Sequence, residues 1–345
     1  MKSLTIIGGG LAGVTLGIGL RQRDVPVTIW EAGRYPRRRV CGEFVSGRGQ
    51  QVLERLGLLD LFQKAGAIQA GMAAFFLGNS SSAPRAVSPP ALCLSRLTMD
   101  ALLAGHFQSG CQGLLRQNAR WTGNTSQEGL VWAAGRRAQP IENGWRWFGL
   151  KAHARNVRLL ADLEMHGQDH SYVGLCRLPG GETNVCGLFR RAAGSDGPSP
   201  SWQDALRGPP GSLLHERMAG ALFDEGSFCS VAGLPLRPAR ATGRPECRIG
   251  DALTMIPPVT GNGMSMAFEA AGLAIEPLCA YSRAELSWSE ARQALARACD
   301  NAFAKRLAWA KVLQWLMFCP VFKGRLGRAA LNSDCLWRFL FSRTR

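Results

Sequence analysis

No two of the eleven cysteines are spaced C-x-x-C, and their number is odd. That argues against a disulfide framework and against a zinc ribbon, and it predicts a reducing compartment. The five histidines form no metal-binding signature. His166 and His170 are four apart, but Gly167 and Asp169 between them predict a turn, so both are expected as solvent-exposed polar residues. No apolar run reaches the length of a membrane span; the nearest, Leu307 to Phe322, is broken by Lys311, Gln314 and Pro320. Internal repeats are absent. Acidic residues are scarce: 25 against 41 basic ones, a formal charge of +16. The imbalance implies an anionic partner, whether cofactor phosphates, a nucleic acid or a membrane surface.

What is present is a globular composition, 46% hydrophobic over 345 residues, enough for two domains or for one domain with an insertion. The start, MKSLTIIGGGLAGVTLGIGL, has the outline of a signal peptide. A different reading gives each glycine its own task, and secretion is not expected. Leu4 to Ile7 is a buried strand, Leu11 to Arg21 a helix, and Val25 to Glu31 a second strand ending in an acid. Between strand and helix, Gly8-Gly9-Gly10-Leu11-Ala12-Gly13 satisfies G-x-G-x-x-G. Gly8 permits the tight turn, Gly10 lets backbone approach a pyrophosphate, and Gly13 lets the helix pack on the strand. The free N–H groups of Leu11, Ala12 and Gly13 and the helix dipole suit phosphate. Glu31, with Ala32 beside it, stands where an acid accepts from an adenosine ribose hydroxyl.

Further along, Asn79 to Pro90 reads as a Ser/Pro-rich loop. Leu97 to Phe107 reads as a helix with Thr98 as N-cap, and Leu130 to Ala134 as a buried strand. From Trp145 to about Arg190 the pattern is that of an antiparallel sheet. Strands are expected at Val157–His166, Tyr172–Leu178 and Thr183–Phe189, the last two joined by a hairpin at Pro179-Gly180-Gly181-Glu182. Arg191 to Pro200 is a flexible loop. Helices at Trp202–Leu206 and Leu213–Phe223, a strand at Ser227–Leu236 and helices after Asp251 complete the chain.

The second motif lies in Cys247 to Ala270, CRIGDALTMIPPVTGNGMSMAFEA. A strand end delivers Gly250-Asp251, and Gly261-Asn262-Gly263 opens a helix through Met264. This resembles the second FAD-binding motif of the glutathione-reductase-type flavoproteins, in the branch of aromatic hydroxylases, geranylgeranyl reductases and flavin-dependent halogenases. The resemblance implies that Asp251 holds the ribityl chain. It also implies that the helix N-terminus faces the pyrimidine edge, where reduced flavin is anionic. Met266, like Met264, is expected to pack in the core. Ser95-Arg96-Leu97-Thr98-Met99-Asp100 is similar to the segment whose arginine meets the cofactor, and Val131 to Gly135, VWAAG, to the strand returning beneath it through Ala134 and Gly135. The resemblance runs from residue 4 to about residue 280 and is specific for FAD rather than for a reaction.

It implies an α/β fold: a Rossmann-like FAD-binding domain with an inserted antiparallel β-sheet substrate domain and C-terminal helices. The expected boundaries are 1–65, 91–140 and 240–285 for FAD, 66–90 and 141–239 for substrate, and 286–345 for the tail. NAD(P)H or a reduced-flavin partner would supply electrons. Ala134-Gly135-Arg136-Arg137 lacks the Asp-Gly of many hydroxylases, which weakens hydroxylase-type NAD(P)H handling. Trp145-Arg146-Trp147 is aromatic packing rather than a halogenase motif.

Val40-Cys41-Gly42-Glu43 resembles an element of the geranylgeranyl-type reductases that runs near the flavin ring. Cys41 is the candidate catalytic residue, a proton donor as hydride reaches a carbon–carbon double bond; an ordinary buried thiol is the alternative. Arg37 to Arg39 would lower its pKa and neutralise pyrophosphate, Arg39 most directly. Glu43 would orient the ribose or the loop. Lys151 and His153 enter the substrate sheet just after the FAD strand; a solvent-facing position is expected, with the active site as the alternative. The implied function is FAD-dependent oxidation or reduction of a hydrophobic small molecule, lipid-like, phenolic or isoprenoid, by monooxygenation or by hydride transfer. Halogenation and a non-catalytic basic binding module are the alternatives.

Residues 301–345 hold nine basic residues against Asp334, interleaved with aromatics. Two uses fit equally: peripheral contact with the inner face of a membrane, or packing that closes the substrate site. A cytoplasmic location is expected, and nucleic acid is not expected as a partner.

Overall fold

A computed structural model describes residues 1–110, 113–195, 200–319 and 325–344. In chain order the elements begin with β1 (Leu4–Ile7), α1 (Leu11–Arg21), β2 (Val27–Trp30), β3 (Phe44–Val45), α2 (Arg48–Arg55) and α3 (Leu59–Lys64). β4 (Ile68–Leu77), β5 (Ser80–Ser81), β6 (Arg85–Cys93), α4 (Arg96–Gln108), β7 (Gly113–Arg116) and β8 (Leu130–Trp132) follow. Then come β9 (Trp145–Arg155), β10 (Leu163–Gly167), β11 (Ser171–Arg177), β12 (Thr183–Ala192), α5 (Trp202–Arg207), α6 (Leu213–Met218), β13 (Leu222–Ala232) and β14 (Cys247–Arg248). The C-terminal part is helical: α7 (Gly263–Ser282), α8 (Trp288–Met317), α9 (Arg325–Asn332) and α10 (Asp334–Thr344).

Five strands form one parallel sheet in the order β14-β8-β1-β2-β7. This is the Rossmann order, and it reverses between β1 and β8, where ligand crevices open at the carboxyl ends of strands. β1 and β2 are short and apolar because both faces are covered. Leu16, Ile18 and Leu20 of α1 and Phe268, Ala271 and Ile275 of α7 lie in the same core.

The second sheet runs β13-β9-β12-β11-β10-β4-β6-β3, with β5 on β4. It is mixed rather than purely antiparallel: β10 and β4 pair in parallel. The segment 79–90 is not a loop, since β5 and β6 occupy much of it. Its prolines are exposed, and the edge strand β3 meets β6 only at Leu92 and Cys93. The strand expected from Val157 begins only at Leu163, and β13 ends at Ala232. α6 stops at Met218, before Leu222 enters β13. The cap of α4 is Ser95, whose hydroxyl accepts from Thr98 N at 3.2 Å. His166 is buried, not exposed. It contacts Glu164 at 2.8 Å and stacks on Phe76, because β10 continues through it. In the expected loop Arg191–Pro200, β12 reaches Ala192, and residues 196–199 lie outside the described set.

α8 starts with a capping box between Ser287 and Glu290. It is tied to α7 by a buried Arg306–Glu269 ion pair, Nη1 to Oε1 at 2.8 Å. No helix among the described residues is long and apolar enough to cross a membrane.

Candidate active site

The glycine turn sits at the strand-order reversal. A side chain at Gly8, where φ is +106°, would strike the Ala133 carbonyl, and one at Gly13 would strike the Gly8 carbonyl. The two strand ends and α1 therefore approach closer than any β-carbon allows. Gly10 differs: a β-carbon there would meet nothing within 4 Å. The backbone at the start of α1 thus faces open space beside free N–H groups, as a phosphate requires. Leu11 and Ala12 bury their side chains and leave only backbone to that space.

The second motif arrives at the same place. A β-carbon on Gly250 would lie 2.9 Å from that of Ala12. Asp251 is exposed at this point, and desolvation by the neighbouring chain raises its pKa against the opposing charges of Arg136 and Arg96. The buried Nε of Arg136 has no hydrogen-bond partner. Ala134 is exposed and Gly135 adopts φ +79° on the same rim. Arg39 is exposed, makes no ion pair among the described residues, and has its pKa lowered by desolvation and by Arg37 and Arg96. These features fit the phosphates and ribityl chain of FAD: open backbone, unpaired cations and an accessible acid.

Glu31 is already engaged. Its Oε2 accepts from Gly9 N and its Oε1 from Gly33 N, both at 2.7 Å, and Arg37 pairs with it. Desolvation opposes its charge, but Arg37 and these two N–H groups hold its pKa below the ordinary value. Tyr35 donates to the Gly9 carbonyl, as does Arg37 at 2.9 Å. A ribose hydroxyl would share Glu31 with these donors. Ala32 is exposed beside it.

Residues 41–49 are stapled to the start of α7. Phe44 lies against Gly261, which adopts φ +63°; Ser46 Oγ meets Asn262 Oδ1 at 3.1 Å; Gly49 N donates to Ser265 Oγ at 2.9 Å. Gly263 starts the helix, and Met264 and Met266 are buried in the core, as expected.

Cys41 is half-buried between this staple and the second sheet, where Asn184 Nδ2 donates to its carbonyl at 2.9 Å. Its thiol is not activated by Arg37 to Arg39. Desolvation raises its pKa, and the positive charge of Arg96 opposes this only in part. Arg37 is turned away toward Glu31 and Asp100, and Arg96 also chelates Asp100 with two contacts of 3.0 Å. Burial thus favours the protonated form of the Cys41 thiol.

The stronger constellation surrounds Glu43. This residue is fully buried in a left-handed conformation, φ +61°, which costs a non-glycine residue about 1–3 kcal/mol. Its Oε1 meets Lys151 Nζ at 2.9 Å and Arg96 N at 2.8 Å; its Oε2 meets His153 Nε2 at 2.6 Å. Desolvation is outweighed, and the Glu43 carboxyl is held below its ordinary pKa. Lys151 and His153 do not face solvent. They point with Cys186, Cys229 and Asn184 to the face of the second sheet that carries Cys41 and Glu43, because β12 and β13 flank β9 on either side. Glu43 does not orient a ribose; it is 108 residues from its lysine partner, a pairing that no local pattern announces. The one sequence signal was the pair of charged residues at alternate positions of a central strand.

The family described as FAD binding domain matches residues 1–137. The cofactor is FAD. The fold is shared with solved flavoproteins. The p-nitrophenol 4-monooxygenase of Pseudomonas putida is 15% identical, with a TM-score of 0.74 over 99% of this chain and 97% of that one. A flavin-dependent brominase is 17% identical, with a TM-score of 0.72 over 98% and 92%. A halogenase solved with mercury compounds is 15% identical, with a TM-score of 0.72 over 99% and 90%. No curated protein sequence is significantly similar to this chain.

Proposed function

We propose that this protein is an FAD-dependent oxidoreductase that monooxygenates a hydrophobic small molecule, of phenolic or lipid-like class, using NAD(P)H or a reduced-flavin partner as electron source. The observation that carries this is the convergence of the two cofactor motifs where Gly250 meets Ala12 and the Gly10 backbone faces open space, with a partly apolar sheet face beside the Cys41–Gly49 segment. Bound FAD supplies two-electron redox chemistry and activates oxygen.

The chain's own residues bind and orient. Leu11, Ala12 and Gly13 N–H groups, with Arg39, would neutralise the pyrophosphate, and Asp251 would accept from the ribityl chain. The α7 N-terminus at Gly263 and Met264 would stabilise negative charge at the flavin. Lys151 and His153 hold Glu43 ionised, which fixes the 41–45 segment and the start of α4, and with it Arg96. Trp147, Tyr172, Leu188 and Phe318 form an apolar cluster on the same sheet face, suited to an aromatic or aliphatic substrate. The halogenase-like neighbours share this frame, so halogenation remains a variant of the same site chemistry.

Hydride transfer to a double bond is the second reading, favoured by the neutral Cys41 thiol, which retains a proton to donate. Incubating reduced holoenzyme with lipophilic phenols and polyprenyl compounds, with and without oxygen, separates the two by product mass. Oxygen-dependent gain of one oxygen atom is the expected result. Oxygen-independent gain of two hydrogens supports the second reading, and no turnover of either class overturns both.

A further inference from the structure

The outer face of α8 and α10 has no part in the site above, and its chemistry is specific. On α8, Lys305, Val312 and Trp315 fall on one side of the helix, opposite Phe303, Ala310 and Gln314, which are buried. Val312 is 44% exposed and Trp315 65%. On α10, Phe339 and Arg343, four residues apart, share an exposed side, and Arg338 is exposed next to Phe339. The two faces are continuous, since Trp309 and Phe339 meet edge to face at 5.2 Å and Arg343 covers the Phe339 ring.

The charge on this face is not balanced. Arg306 is removed from it, buried against Glu269. Asp334, the only acid among residues 301–345, is paired with Arg85 at 2.8 Å. Asp300, one residue earlier, accepts from Ala241 N and Thr242 N. What is left outward is large apolar side chains framed by lysine and arginine that form no ion pair among the described residues. A protein core would leave no such cations around exposed tryptophan, whereas an anionic bilayer surface satisfies both components at once.

We infer that the α8–α10 face docks on an anionic lipid bilayer, with Trp315 and Phe339 entering the interface and Lys305, Arg338 and Arg343 lying against the headgroups. The opposite side of α10 packs on the substrate-side sheet: Phe341 joins the cluster of Ala73, Leu163 and Cys176, and Trp337 stacks near Phe75. Docking therefore sets a lipid reservoir one helix away from that sheet. The surface stands on its own geometry and does not depend on which reaction the flavin carries.

Full-length protein is sedimented with phosphatidylcholine vesicles, with or without phosphatidylglycerol. Binding to the anionic vesicles alone, weakened by salt, is expected. The double variant Trp315→Ser/Phe339→Ser should partition roughly tenfold more weakly, as should Lys305→Gln/Arg343→Gln, which leaves the aromatic contacts intact. Arg55→Ser, on the distant α2, should bind as the parent does. Equal binding to neutral vesicles overturns the inference. So does undiminished binding by both double variants, or a face that mediates only self-association or only single-stranded DNA binding.

Discussion

The ammonium of Lys151 lies 2.9 Å from the Glu43 carboxylate, and neither side chain reaches solvent. With His153 2.6 Å away on the second oxygen, the pair joins strand β9 of the second sheet to the 41–45 segment. Two charges in such a place are stable only together.

Removing one partner should therefore be costly. Lys151→Met leaves Glu43 buried with only His153 and one N–H, and should lower unfolding free energy by about 3–5 kcal/mol. The double variant Lys151→Met/Glu43→Leu should recover part of that loss, since an apolar pair removes the uncompensated charge. Denaturant titration of the three proteins measures it.

The same residue sets an acid limit. Glu43 and Glu31 are both held below the ordinary carboxylate pKa in the folded protein by their cationic and N–H partners, so their stabilisation is present above the ordinary value and is lost as pH falls through the lowered folded pKa. Denaturant midpoints measured between about pH 3 and 6 should fall on the acid side, and the slope should be shallower in Glu43→Gln.

Much of the cofactor crevice was legible in the sequence because its signals are local. Gly8, Gly10 and Gly13 sit within one turn whose spacing marks a phosphate loop, whereas Gly250-Asp251 and Gly261, within one loop, are placed by their resemblance to a second FAD-binding motif. The hairpin between β11 and β12 was legible for the same reason. The Glu43–Lys151–His153 cluster was not, because it depends on which strand lies beside the 41–45 segment. The β6 strand was hidden by its serine and prolines, which an edge position tolerates. His166 was misjudged because flanking Gly167 and Asp169 suggested a turn, while pairing with Phe76 and Val173 extends the strand through it.

Two glycine substitutions should part company. Gly10→Ala meets no neighbour and should fold normally, yet weaken FAD binding at least about tenfold by holding phosphate away from the helix N-terminus. Gly13→Ala collides with the Gly8 carbonyl and should lower the melting temperature of the unliganded protein as well. Thermal melts and FAD titrations on both variants check this.

Thiol reactivity gives an independent reading of Cys41. With its pKa pushed up from the ordinary thiol value by burial, it should resist iodoacetamide at neutral pH, while exposed Cys335 reacts. Peptide mass mapping after timed alkylation reports the order, and early labelling of Cys41 would show an activated thiolate instead.

Asn262, next to the expected flavin edge, donates its side-chain amide to the Thr344 carbonyl at the end of α10. Asn262→Ala should loosen that helix end, raising hydrogen exchange across residues 334–344 by about fivefold, the equivalent of one buried hydrogen bond. Unchanged exchange would mean that α10 is held by Phe341 and Trp337 alone.

The central claim is that two separated motifs build one FAD site. Titrating purified protein with FAD and following flavin absorbance and fluorescence tests it most directly. One FAD per chain, bound with a shifted flavin spectrum and weakened by Arg39→Ser and by Asp251→Ala, is the predicted result. A colourless protein that takes up no FAD, or one whose FAD binding is unchanged by both substitutions, would contradict it.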